Sequence, residues 1–194
     1  MNNPRVRLAL FASGSGSNAE AIMRRFAHHP DIEVTMLLSN NANAFALQRA
    51  KNFTVTTRVF SRQEFQDGTV LQWLREAGAT HLILAGFLWL IPENLLTAFR
   101  DRIVNIHPAL LPKYGGKGMY GARVHEAVKA SGDAVTGITI HLVNEHYDEG
   151  RILFQASCAL TPHDTPESIA EKVHALEHQH YPAVIEEWSL QQLP

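Results

Sequence analysis

Asn105 and His107 stand one residue apart at the end of the run Arg102-Ile103-Val104, ahead of Pro108-Ala109-Leu110-Leu111-Pro112. Side chains two apart on a strand point the same way, so the pair shares one face at a strand end. An amide able to donate to a developing oxyanion, beside an imidazole able to carry a proton, suits acyl transfer. The plainer alternative is an asparagine that caps a turn and a hydrogen-bonded surface histidine. Asp148-Glu149-Gly150 lies in a turn between two long apolar segments, where carboxylates are either functional or ordinary turn residues. His141, between Ile140 and Leu142, reads as a hydrogen-bonded strand histidine rather than a catalyst.

A second chemical signal sits near the start. Gly14-x-Gly16-x-x-Ala19 matches the loose glycine fingerprint found between a strand and a helix. Free backbone N–H groups at a helix start bind anions whatever the ligand. A dinucleotide site also wants an acid after the second strand, and Leu38-Ser39-Asn40-Asn41-Ala42 offers none. Ser15 and Ser17, with Asn18, suit a single terminal phosphate better. Late in the chain His174-Ala175-Leu176-Glu177-His178 spells H-x-x-E-H, an inverted zinc-protease signature. A solvated helix face is the simpler reading, and no metal is expected.

Strands alternating with helical patterns must position these groups. Strands are expected over residues 6–12, 32–38, 53–57, 81–86 and 103–106. The first helix carries Ala19, Ile22, Met23 and Phe26 at helical spacing. A helix over 44–51 has Asn43 as its expected N-cap. Ser61-Arg62-Gln63-Glu64 reads as a capping box opening one helix to about Ala77, and a short helix begins near Pro92. Residues 135–143 and 152–160 form two long strands, expected to pair antiparallel. The last helix starts at Thr165-Pro166 and runs toward Trp188, with Pro182 expected to kink or break it. The pattern predicts a single α/β domain over residues 1–194, three-layered and Rossmann-like, its twisted sheet mostly parallel with an antiparallel C-terminal strand pair.

The bulk numbers agree with an ordinary globular chain. Its 194 residues carry 17 Lys and Arg against 19 Asp and Glu, a net charge of −2, which favours no nucleic-acid partner. The single cysteine, Cys158, excludes an internal disulfide framework and suits a reducing cytoplasm; it reads as a strand residue near the core. Met1-Asn2-Asn3-Pro4-Arg5 leads into too short an apolar run for a signal peptide. The longest apolar run, residues 82–91, falls short of the roughly 20 residues that span a bilayer, so no membrane partner is expected.

Taken together, these segments resemble the phosphoribosylglycinamide formyltransferases. The resemblance rests on Ser13-Gly14-Ser15-Gly16-Ser17-Asn18, on Leu84-Ala85-Gly86-Phe87, on the stretch from Asn105 to Tyr114, and on Gly137-Ile138-Thr139-Ile140-His141 through Gly150. It implies transfer of a formyl group from the co-substrate 10-formyltetrahydrofolate to the amine of glycinamide ribonucleotide, both small molecules, by a monomer or homodimer. It implies that Asn105, His107 and Asp148 are catalytic, with a protonated His107. Ser15, Gly16, Ser17 and Asn18 would hold the substrate phosphate, with His174 near it and Glu177 on the ribose hydroxyls. Leu88, Trp89, Leu90 and Ile91 would line the folate pocket, joined by Asn105, Arg62 and Tyr147.

The chain departs from the family after Lys113-Tyr114. Gly115-Gly116 replaces the usual Pro-Gly, and the following stretch to Arg123 is longer and richer in glycine. The extra glycines suggest a mobile lid. They also make His125 the nearest candidate for the family's loop histidine. Related folate-dependent enzymes, a formyltetrahydrofolate hydrolase among them, are the nearest rival; a non-catalytic nucleotide-binding module is the more distant one.

Overall fold

The computed structural model describes residues 6–192, and Met1 to Arg5, judged above for a signal peptide, lie outside them. Seven strands form one sheet in the order β3-β2-β1-β4-β5-β6-β7. In chain order these are β1 (Val6–Phe11), β2 (Ile32–Ser39), β3 (Thr56–Val59), β4 (His81–Leu84), β5 (Ile103–His107), β6 (Val135–Leu142) and β7 (Ile152–Ala159). Strands β3 to β5 run parallel, while β6 pairs antiparallel with both β5 and β7. The expected architecture is the observed one.

Alternation along the strands sends side chains to two cores. Leu8, Leu10 and Ala12 face a cluster with Ile22, Met23 and Phe26 of α1 (Ser17–Phe26), Val124 and Val128 of α6 (Ala122–Ser131), and Val173, Tyr181 and Ile185 of α7 (Pro166–Gln191). Ala9 and Phe11 face the opposite cluster, with Phe65 of α3 (Arg62–Gln66), Leu74 of α4 (Thr69–Glu76) and Leu95 of α5 (Glu93–Ala98). Apolar strands covered by helices on both faces give the three layers.

The chain steps outward from β1 to β2 and β3, then returns to the other side of β1 as β4. Loops leaving β1 and β4 therefore diverge, and a crevice opens at the carboxyl ends of these strands. Tyr181, fully buried on α7, donates its hydroxyl to the Leu84 carbonyl at 2.9 Å and the Val104 carbonyl at 3.2 Å. One side chain thereby ties α7 to the end of β4 and the start of β5.

Several expected boundaries move. The helix expected over 44–51 is α2 (Phe45–Ala50), and its N-cap is Ala44 without a side-chain bond. Asn43 does not cap it, because the preceding turn is organised by Asn41, whose Oδ1 accepts from the Asn43 N–H at 2.9 Å. The third strand starts at Thr56 rather than 53, since Lys51–Phe53 extends α2 as a 3-10 turn and Thr54 is left-handed at φ 57. The capping box of Ser61 and Glu64 forms, but the single helix expected to Ala77 is two. Gly68, at φ 96, breaks it, and the Asp67 carboxylate takes the Thr69 N–H and hydroxyl. Pro182 does not break α7, which runs unbroken to Gln191. Its neighbours Tyr181, Ile185 and Trp188 are all buried, and that packing outweighs the hydrogen bond a proline forfeits.

Replacing Tyr181 with Phe leaves two buried carbonyls without their donor. Urea unfolding should show a loss of about 1–3 kcal/mol; an unchanged midpoint would mean that the double anchor contributes nothing.

Candidate active site

A cavity of about 590 Å³ occupies the crevice, lined by the loop after β1, the segment after β4, the end of β5, the loop before α6, and the hairpin between β6 and β7. One end of it is built from the start of α1. Gly16 is the N-cap of α1 at φ 73, with no side chain capping the free amides. A Cβ at Gly16 would overlap Ala46 of α2, so only glycine lets the loop lie against that helix. The Ala46 N–H donates to the Gly14 carbonyl at 3.1 Å and the Arg49 Nε to the Ser15 carbonyl at 3.0 Å. These bonds turn the carbonyls toward α2.

Beside this loop, Glu177 of α7 is 4% exposed and accepts on one oxygen, Oε2, from Asn18 Nδ2 at 2.9 Å and His174 Nδ1 at 2.8 Å. The contact with Glu177 raises the His174 pKa above its ordinary value, against a smaller effect of burial. H-x-x-E-H is therefore an internal hydrogen-bonded pair, and the remaining ring, His178, stacks near His174 with centroids 6.4 Å apart.

The opposite end is apolar. Leu88, Trp89, Leu90 and Ile91 all line the cavity, with Tyr147 from the hairpin. Behind them Phe11, Phe60, Phe65, Phe87 and Trp89 pack ring against ring at centroid distances of 4.9–6.4 Å. Ser13 Oγ accepts from the Leu88 N–H at 3.1 Å, which joins this segment to the glycine loop. Arg62 is not in the main cavity. Its guanidinium lies over the Trp89 ring, 4.5 Å from the centroid, in an adjoining recess of about 260 Å³ that shares Trp89, Leu90, Ile91 and Tyr147.

Between the two ends the polar groups converge. Asn105 and His141 are opposite each other in the β5–β6 register, and Asn105 Nδ2 lies 3.2 Å from His141 Nε2. His141 Nδ1 donates to the Leu142 carbonyl at 2.9 Å, which turns Nε2 toward Asn105 and the cavity. Asp148 Oδ1 is 3.5 Å from that same Nε2, and Oδ2 is 3.5 Å from His107 Nδ1. Oδ2 also accepts from the Gly116 N–H at 3.0 Å. Gly150 positions the hairpin, since a Cβ there would run into the Leu142 carbonyl.

Burial works to raise the Asp148 carboxyl, but His141, His107 and the Gly116 amide together hold it below its ordinary pKa. His107 goes the other way from the sequence expectation. Its side chain is 4% exposed, and burial pulls its pKa down further than Asp148 and the Tyr114 carbonyl push it up. Nε2 donates to that carbonyl at 2.7 Å, and Nδ1 faces Asp148. A second proton, when taken up, lands on Nδ1.

Comparison with known proteins agrees with this geometry. The Formyl transferase family pattern matches residues 6–185. The phosphoribosylglycinamide formyltransferase of Bacillus subtilis is 35% identical over 187 residues, covering 93% of either chain. The chain belongs to the phosphoribosylglycinamide formyltransferase family. The chloroplastic formyltransferase of that name from Arabidopsis thaliana is 42% identical over 188 residues, 93% of this chain; the chain spans 64% of that relative's length. It spans 60% of the Vigna unguiculata relative. The crystal structure of the phosphoribosylglycinamide formyltransferase from Anaplasma phagocytophilum superposes with a TM-score of 0.87 at 31% identity, covering 97% of this chain and 89% of that one.

Of the residues expected at the site, the structure brings all but Arg62 to one cavity. Sequence reasoning passed over His141. Its signal was present: Thr139 and His141 are polar residues two apart on a strand, and both are buried. Ser13, Gly116 and α6 were also missed, because their roles exist only across loops.

Asp148→Asn removes the anion that supports the charged form of His107. An NMR titration of the ring should place its pKa below the ordinary 6.5 in the parent protein and lower still in the variant. An unchanged value would show that Asp148 does not act on the ring.

Proposed function

We propose that this protein transfers the formyl group of 10-formyltetrahydrofolate to the primary amine of glycinamide ribonucleotide. The observation that carries the reading is the convergence of Asn105, His107 and Asp148 on one wall, between an amide-lined anion cradle and an apolar slot backed by aromatic rings. Residues 14–18 suit the ribonucleotide phosphate by free amides at a helix start. Glu177 suits the ribose hydroxyls, and His174, with its raised pKa, lies beside the phosphate. The slot formed by Leu88, Trp89, Leu90 and Ile91 suits the pterin, with Tyr147 across from it; Arg62, beyond Trp89, is placed for the outer part of the folate.

In this reading the amine nitrogen attacks the formyl carbon, the new C–N bond forms, and the carbonyl oxygen becomes an oxyanion. The Asn105 amide has two hydrogens; one faces His141 and the second is free to donate to that oxygen. Collapse breaks the bond from carbon to folate N10. The proton lost by the amine must reach N10, and His107 is the group placed to relay it, with Asp148 stabilising the imidazolium as it forms. Burial, which lowers the His107 pKa, favours the neutral form of the ring, the form able to take up a proton.

Small-molecule substrates require no membrane, and among the described residues no helix is long and apolar enough to cross one. A free, half-buried Cys158 supports a reducing compartment, and the cytoplasm is the one proposed.

The test is an optical assay of the purified protein with 10-formyltetrahydrofolate, with and without glycinamide ribonucleotide. Deformylation that needs the amine supports the transferase; turnover indifferent to it identifies a hydrolase. Asn105→Ala and His107→Ala should each lower kcat by about 10²–10³ with little change in substrate KM. Full turnover in the double variant would end the assignment.

A further inference from the structure

Helix α6 begins on the wall of the same cavity. Gly121, its N-cap, makes no side-chain cap, and no acidic residue lies in the first turn. The free amides of that turn therefore lack a counter-charge. His125, the fourth residue of the helix, also lines the cavity. It is 4% exposed, and its Nδ1 is shut off from solvent with no hydrogen-bond partner. A buried polar atom left without a partner is costly, and here the nearest space to supply one is the cavity itself. Among the described residues, neither Arg123 nor Lys117, which line the same wall, takes part in an ion pair.

The position of this wall is set by its neighbours. His125 lies close enough to His174 and Glu177 of α7, and to His107 of β5, for their charges to act on it. Glu177 accepts from both His174 and Asn18, the latter at the start of α1. The first turns of α1 and α6 thus border one polar end of the cavity, with the α7 pair between them.

We propose that His125 and Arg123, with the first turn of α6, form a second arm of the phosphate site, so that the substrate phosphate is held from two helix starts. This rests on the ribonucleotide reading above. A phosphate dianion has more acceptor positions than one loop of amides can reach, and the α6 arm supplies donors from another direction. Burial and the neighbouring His174 hold the empty His125 ring below its ordinary pKa, with Glu177 opposing. A bound dianion reverses that balance, so ligand binding near neutral pH draws a proton onto the ring.

The experiment compares the parent protein with His125→Gln and Arg123→Ala, using glycinamide ribonucleotide and the corresponding riboside that lacks the phosphate. In each variant the ratio of kcat/KM for ribonucleotide over riboside should fall roughly tenfold, the size of one charge-assisted hydrogen bond. The inhibition constant of inorganic phosphate should rise in parallel, while KM for 10-formyltetrahydrofolate stays level. An unchanged ratio overturns the arm, because damage to the fold would depress both substrates alike. A rise confined to the folate KM also overturns it, by assigning these groups to the folate carboxylates. Calorimetric titration with inorganic phosphate separates the two readings. If the parent protein fails to turn over the amine, the activity falls; phosphate binding that weakens in His125→Gln, and loses its proton uptake, still supports the arm.

Discussion

A carboxylate can be taken from water only if other groups replace the water, and Asp148 is where this fold meets that demand. Eleven per cent of its side chain is exposed, and it faces two imidazoles and a backbone amide. A charge buried without such partners costs several kcal/mol. The register of β5 against β6 sets Asn105 opposite His141. The hairpin after β6 brings Asp148 back over both strands, through a turn that holds it at φ 59 and a glycine that no larger residue could replace. The wall that carries Asn105, His107, His141 and Asp148 is thus a product of antiparallel pairing added to a parallel sheet.

The parallel half supplies the two ends of the cavity. Reversal of strand order between β1 and β4 separates the loops after them, and each loop has a different character. The first presents amides and hydroxyls and is bonded to α2 through its carbonyls. The second presents large apolar side chains and rests on an aromatic cluster beneath the sheet. A substrate with a phosphate at one end and a flat apolar group at the other side of the reacting bond is matched by this polarity. Tyr181 bonds α7 to the neighbouring parallel strands β4 and β5 beneath this crevice.

Sequence periodicity was sufficient for most of this. The apolar positions of α1 are the buried ones, and the Ser61 capping box forms as expected. What it misplaced were features decided by one local bond or by distant packing. Asp67 takes the Thr69 amide and splits a helix; the core around α7 carries a proline through. The site residues were recognisable as types at spacings, but their electrostatics were not. Nothing in Asn-Ile-His-Pro announces that the imidazole is sealed and that burial outweighs a carboxylate 3.5 Å away. His141 and His125 were each visible as single letters in apolar surroundings, and only three-dimensional neighbours show what they touch.

The Gly116 amide and the His107 ring share a single oxygen of Asp148. Any displacement of the Gly116 amide therefore deprives the carboxylate of a donor. The path of the backbone at 115–118 and the acidity of Asp148 are consequently one variable, and changes in the length or composition of that glycine stretch retune both together.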